Sequence, residues 1–340
     1  MSVADRLDRL QRRRPVLGYP IAVVYKFVDD QGGYLAALIT YYAFVSLFPA
    51  LLLFSTVLGI VLVGSPELQQ QILSSALGQI PVIGDELGRP ERLGGGTVGL
   101  VVGVLGSLYG GLGVAVALQN AMNTAWTVPK NLRPDPIRAR VRGLGLLSTV
   151  GLAVLAVTAL NVLSAAGYFG PESGLVVFVV GTVFYVGVFV VAFRLATARP
   201  VSIGEVLPGA VVAGVIWQLL QTFGSVYVKY VVSTATVTNG VFAVVLGLLA
   251  FLYVTSVSIV LCIEINVVRV DRLFPRALLA PFTDDVELTE GDKLTYTGQA
   301  EAQRSSAFEE IDVTFGDPPR AQSEPESDSD SDSESEAETP

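Results

Sequence analysis

The chain has 340 residues, of which 51% are hydrophobic and only 16% charged, against about 25% charged in an ordinary soluble protein. It contains no histidine and a single cysteine, Cys262, which excludes histidine acid–base or proton-relay chemistry, multi-cysteine metal sites and an intrachain disulfide. The net charge of −9 hides a division: residues 1–281 hold 19 basic and 13 acidic residues, whereas 282–340 hold 3 and 18.

Several apolar runs exceed the ~18 residues needed to cross ~30 Å of hydrocarbon, so the sequence predicts a polytopic all-α membrane protein. No cleavable leader is expected, because the first fourteen residues are charged and the first long apolar run is too long for a signal core. Residues 1–19 read as a basic cytoplasmic arm. Its arginines suit anionic lipid and topology, with nucleic-acid binding as the alternative. Residues 20–31 read as a short interfacial elbow helix.

The transmembrane domain is placed at 20–281, with six spans. The first covers about 35–63. It carries Tyr41, Tyr42 and Ser46, and its interior proline, Pro49, predicts a kink. Residues 64–97 contain apolar positions at 3–4 spacing and predict an amphipathic outer helix. The second span, about 97–118, has Gly96, Gly99, Gly103, Gly106, Gly110 and Gly113 spaced 3, 4, 3, 4, 3. A 3.5-residue period lines them into one seam, which predicts close backbone approach to a neighbour. Trp126 then reads as an interfacial anchor. Further spans follow at about 144–166, 174–196, 203–228 and 241–268. The fifth has a kink-forming Pro208 near its start, with Gln218 and Gln221 farther along.

Basic residues near the span ends set the topology. Segments 1–34, 119–142, 194–202 and 269–281 hold sixteen Lys and Arg, and the opposite set holds three. The first set is therefore expected in the cytoplasm with both termini. Residues 282–340 read as an acidic cytoplasmic tail that stays disordered. It is either a binding tail for basic partners or a solvated appendage. Together with the low lysine content it suggests a halophilic, high-salt cytoplasm.

Two groups of polar residues are candidate sites. Glu264 is expected about 7.5 Å inside the cytoplasmic edge, with Arg194 near the same level. A Glu264–Arg194 pair would act as a gate or head-group site, or as a static ion pair. Tyr41, Tyr42, Ser46, Gln218 and Gln221 would line a polar path, or would bond helix to helix.

The stretches LAALITYYAFVSLFPALLL, AMNTAWTVPKNLRP, LPGAVVAGVIWQLLQTFGSVYVKY and NGVFAVVLGLLAFLYVTSVSIVLCIEIN resemble the BrkB/YihY family of six-helix inner membrane proteins over about residues 20–275. The chain departs from the family's pattern at Asn239, where Tyr is common before Gly240, and at Phe251, where Trp is common. Family members carry the labels ribonuclease BN, serum-resistance factor and lipid-transport component. A nuclease needs metal-binding carboxylates or a histidine. Within the spans only Glu205 and Glu264 are candidates, and they stand on different helices. No catalytic residue, metal or cofactor is expected, and no nucleic-acid partner. The kinked helices, the polar groups inside the bundle and the long amphipathic outer segment suggest a transporter or flippase-like protein for a lipid or amphiphile, with membrane lipids as partners. The alternative is a non-catalytic scaffold for envelope integrity. The oligomeric state is not legible.

Overall fold

The computed structural model describes residues 8, 11, 15–61, 96–165, 173–234, 240–280, 283 and 286–316. Among them there are helices and no strands. α1 spans Pro15–Asp29, α2 Gly32–Val61, α3 Gly96–Ala125, α4 Pro136–Ala165, α5 Ser173–Ala196, α6 Ile203–Thr234, α7 Gly240–Val270 and α8 Glu290–Glu301. Six of them, α2 to α7, are long and apolar enough to cross a membrane. The protein is a multi-pass membrane protein. The amphipathic segment expected at 64–97 lies almost entirely outside the described residues.

Each spanning helix packs on the next, and α7 returns to α2, so the six close into a ring. The ring's apolar core gathers at one end. Met122 and Ala125 come from α3 and Trp126 from just after it, Phe193 and Ala196 from α5, Val206 and Ala210 from α6, and Ile263, Val267 and Val268 from α7. Toward the other end, Val101 and Val102 of α3, Phe178 to Val180 of α5, Phe223 of α6 and Phe242 and Leu246 of α7 are exposed. The buried end is the one to which all four basic segments belong, and hydrogen bonds tie those segments together there.

The most extensive interface joins α2 and α3. It is built on the glycine seam. A Cβ on Gly110 would stand 2.6 Å from Ser46 Cα and 2.8 Å from its N, one on Gly106 would stand 2.7 Å from the Pro49 ring, and one on Gly103 would stand 3.0 Å from Leu53 N. A Cβ on Gly113 would run into the Tyr42 ring. Only hydrogen at these positions lets the backbones meet, and that contact replaces the hydrophobic drive that lipid cannot supply. Gly96 and Gly99 lie on the same helix, their surroundings outside the description.

Pro208 sits in the second turn of α6 and cannot bond the Gly204 carbonyl. The neighbouring helix repairs the break. Arg269 of α7 donates to the carbonyls of Gly204 (2.6 Å) and Glu205 (3.2 Å), while Gly209 N–H donates to Asn266 Oδ1 (2.7 Å). Glu205 itself closes a capping box with Ser202, accepting from Ser202 N at 2.6 Å.

The acidic tail begins later than composition places it. Residues 289–304 pack on the connections at the basic end, bonding Asp30, Lys130, Asn131 and residues 275–277, which corrects the expectation of disorder from 282 onward. α8 starts with a capping box, Thr289 to Asp292, and Asp292 is wholly buried. A polar helix can pack when its few inward groups find charged partners, and composition averages do not register that.

Candidate functional site

The basic end holds an unusual amount of buried charge. α1 crosses it and lays Ala22, Val23 and Lys26 against α7. Lys26 has no exposed surface. Its Nζ donates to Asp30, one turn on, and to the Ala125 carbonyl at the end of α3 (3.2 Å). Asp30 also accepts from Gln299 of α8 at 2.9 Å. Burial pushes the Asp30 carboxyl above the usual carboxylate range, and Lys26 pulls it back only in part. The chain reverses next to it through Gln31, whose φ is 55°, and Gly32 follows where Phe27 leaves no room for a side chain.

Glu264 of α7 completes this group. It is wholly buried and lies against Lys26 and Asp30. Neither carboxylate oxygen has a hydrogen-bond donor. The charges that act on it, Lys26, Asp30 and Asp29, all come from α1 and the turn after it.

A second buried group lies beside the first. Arg276, after α7, donates Nε to Asp292, one terminal nitrogen to Thr295 Oγ1 (3.2 Å) and the other to Asp29 Oδ2 (2.8 Å). Asp292 accepts in addition from Ala277 N, Thr289 N and Thr289 Oγ1. Four donors reach this carboxylate, one on Oδ1 and three on Oδ2, which is what makes a buried ion pair tolerable. Arg276 thus clamps α1 to α8. Gln11 and Tyr25 add bonds to the carbonyls of Arg276 and Leu278. Farther out, Arg199 pairs both its terminal nitrogens with Asp271 (3.1 and 3.2 Å) and covers the Trp126 ring at 4.9 Å.

The anticipated sites fare differently. The Glu264–Arg194 pair does not form. Arg194 is exposed and donates Nε to the Val201 carbonyl at 3.1 Å, while Glu264 turns the opposite way, toward α1. Lys26, from a segment read as a surface elbow, takes the place assigned to Arg194. Trp126 is a core residue, 1% exposed, and not an interfacial anchor: it sits in the apolar cluster with the Arg199 guanidinium over its ring. Tyr42 and Ser46 face the glycine seam of α3, and Tyr41 is exposed beside Tyr42, its ring 5.2 Å away. Gln218 and Gln221 stand on α6, whose principal neighbours are α5 and α7. The two halves of the expected polar path therefore lie on helices separated by α7, and the structure does not bring them together. Gln221 Oε1 is buried without a partner. Among the described residues no group of three or more His, Cys, Asp or Glu side chains is placed to hold a metal ion.

The family profile described as Virulence factor BrkB matches residues 23–282, the whole of the ring and the second half of α1. The chain belongs to the BrkB family. Inner membrane protein YhjD of Escherichia coli (strain K12) is 28% identical over 176 residues, covering 49% of this chain and 51% of that protein. The chain thus spans about half the length of this curated relative. No solved structure matches. The BrkB match starts three residues before Lys26 and ends just past Arg276, so both buried groups draw on the shared region, whereas α8 lies beyond it.

Sequence reasoning missed Lys26, Asp30, Arg276 and Asp292. A signal existed for the first pair: Lys26 and Asp30 are four apart, the spacing that puts opposite charges on one helix face, here on the apolar side. Thr289-x-x-Asp292 likewise has the form of a capping box in a stretch dismissed as tail.

Proposed function

We propose that this protein transports a lipid or similar amphiphile, in the cell membrane, with its basic end and both termini in the cytoplasm. The observation that carries the reading is the placement of the buried core: the helices meet in a charged and apolar plug at the basic end. A ring sealed at one end is the form expected of one state of an alternating-access protein. The excess of arginine at the plugged end supports its cytoplasmic placement, and the inner-membrane title of the YhjD relative agrees with it. No residue constellation for catalysis enters the argument.

The test is reconstitution in vesicles with fluorescently tagged phospholipid in both leaflets. Protein-dependent loss of protection from a membrane-impermeant quencher supports transport, and equal protection with and without protein removes it. The second reading, a non-catalytic scaffold for envelope integrity, is favoured by the glycine-tight α2–α3 contact. It predicts no lipid movement together with an envelope defect when the protein is deleted. Orientation is read separately: Arg140→Cys, exposed on α4, in a Cys262→Ala background should label only after cells are opened.

A further inference from the structure

We propose that Asp30 and Glu264 share one exchangeable proton against the fixed ammonium of Lys26, which makes this junction of α1 and α7 a proton-binding site. The geometry asks for it. Glu264 meets Asp30 side chain to side chain in a place without water-exposed surface, and two carboxylates offer each other lone pairs and no donor. One proton converts that contact into an O–H···O bond. It gives Glu264, whose two oxygens are otherwise without donors, its only partner. It also balances the charge, since two carboxylates and one ammonium leave a buried surplus of one negative charge.

The remaining neighbours do not compete. Asp29 points to Arg276 and is neutralised there. α2 and α6 set Thr40 and Gly209 against the inner face of α7, and neither titrates. Gln299 reaches Asp30 from α8 and links the site to the surface of the basic end. Raising the pH removes the proton to that side. Two buried carboxylates then repel, and α1 parts from α7.

Two measurements on the full chain in lipid nanodiscs test this, and neither reads transport, so they stand apart from the preceding proposal. In the first, infrared difference spectra between about pH 5 and about pH 9 should show a protonated-carboxyl stretch that disappears on alkalinisation. Glu264→Gln and Asp30→Asn, each leaving a single carboxyl beside Lys26, should both lack it. A wild type without the band, or a band retained in both folded variants, overturns the proposal. In the second, Ala22→Cys, at a position buried on α1, reports the seam in a Cys262→Ala background. Its maleimide labelling should accelerate with pH by up to about tenfold per unit, the ceiling for release of one proton, beyond the reagent's own pH dependence on a free thiol. A corrected rate independent of pH overturns the proposal.

Discussion

Glycines on α3 and glycines on α4 and α5 look alike in sequence and have opposite surroundings. Gly103, Gly106, Gly110 and Gly113 are pressed against α2, where a single added carbon would strike backbone or ring atoms. Gly145, Gly151 and Gly187 would meet nothing within 4 Å. Abundance of glycine in a membrane helix is therefore not a packing signal, and period is. The α3 set repeats every 3.5 residues and keeps to one face, whereas the α4 and α5 positions share no such register. The same contrast runs through the molecule as a whole, between a basic end that is buried and latched and outer halves whose apolar side chains are exposed.

The contrast is most sharply tested at the latch. Arg276→Met leaves Asp29 and Asp292 without their buried cation and should cost about 3–5 kcal/mol, read as a drop in the thermal midpoint in detergent and as faster proteolysis after α8. Wild-type stability would show that α8 is not held as described. Next, Gly110→Ala should cost about 1–3 kcal/mol by overpacking, because the atoms it strikes are the Ser46 backbone and cannot rotate away. A neutral Gly110→Ala would mean that α2 and α3 slide freely, and the filled-versus-open distinction would lose its best example. In the opposite direction, Gly151→Ala and Gly187→Ala should each add about 0.5–1 kcal/mol through helix propensity alone, measured by the same unfolding assay. Destabilisation at either would reveal a partner seated on α4 or α5. The smallest effect is expected for Arg194→Gln, within about 0.5 kcal/mol, since this exposed side chain loses one bond to a carbonyl. A large loss there would restore the abandoned pairing with Glu264.

Six spans and the glycine seam were legible because both are periodic, and periodicity survives without knowledge of neighbours. The rotation of one helix against another does not. Arg194 and Glu264 were expected at the same depth, yet depth says nothing of facing, and they turn away from each other. The elbow before α2 was read by its apolar content as a surface element. Its one lysine, at the fourth position before Asp30, was the telling residue, since a buried ammonium needs its counterion on the same face. α8 was hidden for a different reason: its sequence, EGDKLTYTGQAE, has no apolar face, and what seats it is a few polar groups, Asp292 and Thr295 at Arg276 and Gln299 at Asp30.

The repair around Pro208 has a mechanical corollary. Two main-chain acceptors of α6 take bonds from Arg269, and one buried donor bonds Asn266. Separating these two spans would break all three bonds at once. α6 and α7 must then travel as a rigid pair, and whatever bending the protein performs has to be absorbed at the joints on either side of that pair, toward α5 or toward α2.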